Sequence, residues 1–292
     1  MTQTAGSDLT RRVEDAIRRH IAGRCAPPRL GRAIEDAMLA GGSRVRPRFA
    51  LGVALACGDD RPSLSDAAAA AIECLHAASL VHDDLPCFDD AAIRRGRPSI
   101  HVAHGEALAV LTGDALIVMA FQVLADVGDI AAERLPCMLA ALSASAGVPR
   151  GLVSGQAMEC EETADLDAYH AAKTGALFEA AGALGAAASG GETAVWRRVG
   201  ARLGAAYQVA DDIHDALGLG GEGKPTGQDG LHERPNAVSS SGMDGAVTLL
   251  RRHLDDAIDA IPGGDDADSL RALIREQTGR FLPAELAAQI SA

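Results

Sequence analysis

Leu80-Val-His-Asp-Asp-Leu-Pro-Cys-Phe-Asp-Asp-Ala-Ala-Ile-Arg-Arg-Gly-Arg-Pro-Ser-Ile-His101 places four carboxylates, Asp83, Asp84, Asp89 and Asp90, within eight residues, with Arg94 and Arg95 close behind. The residues before it, from about Ser65 to Leu80, are apolar and alanine-rich, the composition of a buried helix. Pro86 cannot continue that helix, because it lacks an N–H and its ring clashes with the carbonyl of His82. The first Asp pair therefore falls at a helix C-terminus, where the dipole disfavours each carboxylate by roughly 0.3–1 kcal/mol. Acids crowded at that end need a cation to hold them. Oxygen ligands without His or Cys spacing select a hard ion, Mg²⁺ before Zn²⁺.

Composition extends the helical reading to the whole chain. Hydrophobic residues make up 48% of the 292 residues and aromatic residues only 3%, so the core must be aliphatic and alanine-based, which favours close-packed helices. No linker, repeat or strand alternation breaks the chain, and the expectation is a single all-α domain spanning 1–292. A net charge of −13 argues against a nucleic-acid surface. The six cysteines show neither CxxC pairs nor framework spacing, so reduced thiols and a cytoplasmic location are expected. The N-terminus has no apolar signal region, and no run reaches ~18 uninterrupted apolar residues, so no transmembrane segment is expected.

Upstream of the acid stretch, Gly41-Gly42-Ser43-Arg44-Val45-Arg46-Pro47 leads into a helical run. Proline suits the first turn, and Arg46 then stands where free N–H groups already favour an anion. A surface loop with solvated arginines accounts for the same residues. Ser63-Leu-Ser-Asp66 has the form of a capping box opening the central helix. His76 and Asp83 share a face of that helix, about 10 Å apart along its axis.

Downstream, Gly155-Gln156 opens one helical segment, and Lys173-Thr174-Gly175 lies inside an apolar run from Leu166 to Ala188. A lysine there either snorkels to water or meets a charge. Glu192 to Gly218 reads as a long helix ending Tyr207-Gln-Val-Ala-Asp-Asp-Ile-His-Asp215. Asp211 and Asp215 are i and i+4 with Asp212 beside them, a like-charge pairing that costs a bare helix ~0.2–0.5 kcal/mol and again points to a cation. The alternative is a solvated acidic helix end. Gly218 to Arg234 is glycine-rich and holds Lys224 and Arg234. Two acid sets on different helices, flanked by Arg46, Arg94, Arg95, Lys173 and Lys224, suit several Mg²⁺ ions and a diphosphate. An apolar helical interior beneath would hold a hydrocarbon.

These motifs, in this order, resemble the trans-isoprenyl diphosphate synthases (polyprenyl synthetases) from about Leu30 to Val238. The first aspartate-rich motif is Asp83-Asp-Leu-Pro-Cys-Phe-Asp89, in the bacterial form with two extra residues, followed by Arg94-Arg95-Gly. The second is Asp211-Asp-Ile-His-Asp215, preceded by Gln208; Gly155-Gln156, Lys173-Thr174 and Gly223-Lys224 match the remaining motifs. The phrase HAASLVHDDLPCFDDAAIRRGRPS is similar to geranylgeranyl diphosphate synthases of bacterial carotenoid and photopigment pathways. The resemblance implies a large helical bundle around a central cavity, usually a homodimer.

It implies about three Mg²⁺ ions per active site, held by Asp83 and Asp89 on one side and Asp211 on the other, with Asp84, Asp212 and Asp215 supporting. Arg94, Lys173 and Lys224 would hold the allylic substrate, dimethylallyl, geranyl or farnesyl diphosphate. Arg46, His76 and Arg95 would hold isopentenyl diphosphate. Thr174 and Gln208 would stabilise the allylic cation, and the departing diphosphate would act as base. Two departures stand out. Ser43 replaces the lysine expected on isopentenyl diphosphate, and His232-Glu-Arg-Pro-Asn-Ala-Val238 leaves Arg234 in place of another basic segment. Product length in the family follows residues near the first Asp; Ser79 and Ala78 are small, with Cys74 a turn lower, which implies a twenty-carbon product.

Four other readings compete. A class I terpene cyclase shares the fold but has an NSE/DTE second motif, whereas this chain has a second DDxxD. A farnesyl diphosphate synthase differs only in pocket depth. A non-catalytic modulator subunit would ordinarily lose one acid cluster, and both are intact here. His82-Asp83 as a phosphohydrolase pair lacks matching upstream and downstream partners.

Overall fold

The computed structural model describes residues 2–22, 27–163, 165–218, 236–263 and 266–280. Among these, the chain is a succession of α-helices: α1 Thr2–Ile21, α2 Pro28–Leu39, α3 Val45–Ala56, α4 Pro62–Asp83, α5 Ile100–His104, α6 Glu106–Asp126 and α7 Leu135–Ala146. There follow α8 Leu152–Met158, α9 Leu166–His170, α10 Ala176–Ala188, α11 Thr193–Ala216, α12 Ala237–Asp259 and α13 Ala267–Arg280. The all-α expectation holds. The central helix and the helix expected over Glu192 to Gly218 agree to within a few residues, whereas the run expected over Leu166 to Ala188 is interrupted at Ala171–Gly175; α12 begins at Ala237, where Asn236 caps it, accepting from the N–H of Ser239 at 2.7 Å.

Helix α4 is the axis. It packs against α1, α3, α6 and α10, and nearly every residue from Leu64 to Val81 is buried. The alanines Ala67 to Ala71 let neighbouring helices approach closely at no side-chain entropy cost. Elsewhere glycine serves that end. A methyl group at Gly185 would lie 2.2 Å from the Ala50 carbonyl, and one at Gly200 2.2 Å from that of Phe178, so α10 meets α3 and α11 at backbone contact. A continuous apolar cluster runs from Val13 to Ile274.

Two local expectations are corrected. The central helix starts at Pro62, with Arg61 at the N-cap and no side-chain cap, because proline is preset for the first helical position. Ser63–Asp66 is not a capping box; Ser65 donates to Asp59, and Asp66 accepts from Arg12 and Arg19. The stretch after the first acids contains a two-stranded ribbon that alternation did not reveal, Ile93–Arg94 paired antiparallel with Arg97–Pro98. Its turn residues Arg95 and Gly96 have φ of 53° and 72°, the positive values of a type I′ hairpin.

Among the described residues, two helices are long and apolar enough by length and composition to cross a membrane, Pro62–Asp83 and the segment Glu106–Ile130. The first is wrapped by other helices, while the second leaves one apolar face open, with Val110, Leu111 and Val118 exposed.

Candidate active site

Helix α4 ends at Asp83, as Pro86 requires, and the chain then folds back on itself. The Asp89 N–H donates to the Asp83 carbonyl at 2.9 Å and the Ala91 N–H to that of Asp84 at 3.2 Å. The two extra residues thus form a tight loop that returns Asp89 beside Asp83. Asp83 and Asp84 are buried while Asp89 is exposed. Burial pushes both buried carboxyls above the ordinary carboxylate range, against the pull of Lys173 on Asp83 and of Arg94 on Asp84.

Asp84 faces Arg94, whose Nε donates to it at 2.8 Å and whose Nη2 makes a second, shorter contact. Arg95 turns the other way. It donates to the Gly41 carbonyl at 2.6 Å and lies 3.5 Å from His76 Nε2. A methyl group on Gly42 would meet the Arg95 guanidinium at 2.7 Å, so glycine there, at φ 117°, makes room for the arginine. His76 is half-buried in the cleft wall, and desolvation with Arg46 and Arg95 nearby drives its pKa well below the usual value, which keeps the ring neutral.

The loop before α3 is anchored from beneath. Arg44, at φ 49°, sends its side chain into the core, where it pairs with Glu73, with Glu14 at 2.8 Å and with the Met38 carbonyl at 2.7 Å. Arg46 then projects into the cleft with its guanidinium 4.7 Å from the Phe178 ring and 5.3 Å from that of Tyr207. Its buried Nε finds no hydrogen-bond partner among the described residues. Ser43 is exposed at the rim.

Lys173 and Thr174 sit on a π-turn, Ala171–Gly175, set between α9 and α10. Such an insertion re-aims side chains that an unbroken helix would direct elsewhere. Gly155 lets α8 reach it, since a methyl group there would come 2.5 Å from the backbone nitrogen of Lys173. Lys173 is held by Glu159, which also accepts from Tyr169 Oη at 2.5 Å, and it lies 3.9 Å from Asp83. The neighbouring carboxylates raise the lysine pKa in spite of burial, so it stays charged. Thr174 donates to Gln208 Oε1 at 2.9 Å, and Gln208 donates to Asp212 at 3.0 Å. Asp212 also accepts from the N–H of Ala237 at 2.8 Å, which ties α11 to the start of α12.

These elements enclose a polar cleft of about 1560 Å³ including its open mouth, lined by Arg46, His76, Ser79, Asp83, Arg94, Arg95, Lys173, Thr174, Tyr207 and Asp211 among others. Asp84, Gln208 and Asp212 stand behind this wall, and Asp215 is half-buried further along α11. Lys224 and Arg234 lie outside the described residues. Among the described residues no three potential ligands converge on one point. One acid from each set, Asp83 at the end of α4 and Asp211 on α11, lines the same cleft. That donor set fits Mg²⁺, which keeps several waters and takes further oxygens from a phosphate; Asp83 Oδ1, buried and without a hydrogen-bond partner among the described residues, has only the Lys173 ammonium at 3.9 Å and can receive it.

Ser79, Leu152 and Gln156 also border a second, apolar cavity of about 1190 Å³ including its mouth, whose other walls include Leu75, Ala78, His82, Phe88 and Ile117. Ala78 and Ser79 both line this cavity. Cys74 does not reach this cavity; it is packed in the core, one turn round from the exposed wall, and Leu75 takes the deeper position. Reading along the sequence missed Glu159 and Ile117. Glu159 stands three residues after Gln156, at the C-cap of the same short helix, a spacing that could have signalled it.

Comparison with known proteins agrees with this architecture. Residues 27–273 match the polyprenyl synthetase family model. The geranylgeranyl diphosphate synthase of Cereibacter sphaeroides is 50% identical, the match covering 96% of this chain and 98% of that protein. That of Rhodobacter capsulatus is 49% identical over 87% of this chain and 89% of its own. The solved geranyltransferase of Helicobacter pylori, complexed with magnesium and isoprenyl diphosphate, superposes with a TM-score of 0.81 at 28% identity, covering 94% of this chain and 97% of that one. A helical bundle whose cleft takes an acid from each of two motifs and adjoins an apolar cavity, matched along most of its length in sequence and in fold, places the chain in the polyprenyl synthetase family.

Proposed function

We propose that the chain joins an allylic diphosphate (dimethylallyl, geranyl or farnesyl) to isopentenyl diphosphate, head to tail, and releases geranylgeranyl diphosphate. The observation that supports this most directly is the continuity of the two cavities: a charged cleft above, an apolar cavity below, with Ser79, Leu152 and Gln156 bordering both. Mg²⁺, about three ions per site, would neutralise the charge that develops on the departing diphosphate. Asp83, Asp89 and Asp211 would hold it, with Asp215 in support. Asp84 holds Arg94 in position, and Asp212 holds Gln208.

Lys173 and Arg94, with Lys224, bind the allylic diphosphate. Arg46, His76 and Arg95, with Ser43 at the rim and Arg234, bind isopentenyl diphosphate. A neutral His76 serves as donor or acceptor without adding charge. The allylic carbon–oxygen bond breaks, the cation is attacked by C4 of isopentenyl diphosphate, and the departing diphosphate takes the proton. Thr174 lines the cleft and directs its hydroxyl oxygen toward the cation, while Gln208, accepting the Thr174 proton at 2.9 Å, holds that hydroxyl in place.

The protein acts as a single domain over 1–292, in the cytoplasm, as a homodimer that covers the exposed α6 face with a second copy rather than a membrane. It serves carotenoid or photopigment precursors. Incubation with Mg²⁺, isopentenyl diphosphate and each allylic diphosphate, followed by product-length analysis, tests the reading. A twenty-carbon product is expected. A fifteen-carbon end product would make it a farnesyl diphosphate synthase, and no condensation would leave the modulator reading.

A further inference from the structure

His82 belongs to the acid stretch, yet its ring points away from the carboxylates, toward α6. It rests directly on Gly113: a methyl group there would lie 2.0 Å from Nε2, 2.4 Å from Cδ2 and 2.6 Å from Cε1. Nε2 stands 3.4 Å from the Val110 carbonyl and 3.9 Å from the Asp114 carboxylate, contacts that hold the ring against the helix. The same ring borders the apolar cavity beside Ala78, Ser79 and Ile117. Glycine inside a helix costs about 0.5–1 kcal/mol relative to alanine, and the φ of Gly113 is helical, so no turn requires it. What requires it is the imidazole.

We propose that Gly113 and His82 together set the width of the hydrocarbon cavity, and so the length of the product, with Gly113 acting as the recess that keeps the ring out of the chain's path. The inference rests on assigning this cavity to the growing prenyl chain. A carbon and a nitrogen in ordinary contact lie about 3.5 Å apart. A Cβ at 113 therefore displaces the ring by at least about 1.5 Å, away from α6 and toward the wall formed by Ala78 and Ser79. The side chain has two free torsions and can make that move without shifting the backbone.

The test compares products of the full-length chain and three variants, given isopentenyl diphosphate, Mg²⁺ and geranyl diphosphate. Gly113→Ala should lower the ratio of twenty- to fifteen-carbon product at least about tenfold, the discrimination a lost increment of apolar space supplies. His82→Ala should raise the ratio of twenty-five- to twenty-carbon product by a similar factor of about ten. The double variant Gly113→Ala/His82→Ala should lose the short product, because the displaced ring is gone. An unchanged profile in Gly113→Ala, or a double variant that still stops at fifteen carbons, overturns the proposal. Should Gly113→Ala not fold, an unchanged profile in His82→Ala overturns it alone. Failure of the unmodified protein to condense any substrate would instead overturn the proposed function.

Discussion

Replacing Glu159 with glutamine removes one negative charge from the cleft while keeping the side chain's shape. The Lys173 ammonium lies between that carboxylate and Asp83, bonded to the first and 3.9 Å from the second. Two unit charges about 4 Å apart attract with ~4 kcal/mol at an effective dielectric near 20. An ammonium released by Glu159 therefore closes on Asp83, the carboxylate proposed to hold Mg²⁺. A hydrogen bond to a charged group contributes about 1.5–3 kcal/mol. The Lys173 side chain is 23% exposed, and discounting for solvent leaves about 1–2 kcal/mol, or about 5- to 30-fold. Glu159→Gln should raise both the Mg²⁺ concentration for half-maximal rate and the KM for the allylic diphosphate by that factor. The KM for isopentenyl diphosphate should stay within about twofold, because Arg46, His76 and Arg95 are held on other elements. Initial rates over a matrix of metal and substrate concentrations separate the three quantities. Equal changes in both KM values with an unaltered metal requirement would refute the reasoning.

Ala78→Tyr fills the apolar cavity just beneath the acids and should shift the product to farnesyl diphosphate; a chain-length assay with an unchanged profile would remove Ala78 from the floor. Ser43→Lys restores the expected charge at the rim and should lower the KM for isopentenyl diphosphate, whereas an unchanged or higher value would show that Arg46 and Arg95 suffice. Because burial holds Asp83 and Asp84 above the ordinary carboxylate range, their ionised forms cost stability, and that cost is relieved as pH falls through the raised values. Mg²⁺ at about ten times its Kd should therefore raise Tm by about 2–5 °C near pH 8 and by less near pH 5. A thermal shift that is equal at the two pH values would argue against these acids as the metal site.

Much of this was legible without a structure because it depends on neighbours in the chain. Pro86 ends α4 at the first Asp pair, alanine composition makes the core helical, and the i, i+4 spacing of Asp211 and Asp215 puts both on one face. Those rules act over one or two helical turns. The tertiary structure alone decided which acids line the cleft and which are taken up by a protein partner. Asp84 turns to Arg94 and Asp212 to Gln208 and Ala237, although each is adjacent to an acid that lines the cleft or its rim. It also brought Glu159 to Lys173 through a π-turn, left Cys74 in the core while Leu75 reached the cavity, and set His82 into the gap at Gly113. Those outcomes depend on how helices distant in sequence stack and on where a methyl group does or does not fit. Helical periodicity tells which residues share a face, but the partner across that face is a property of packing.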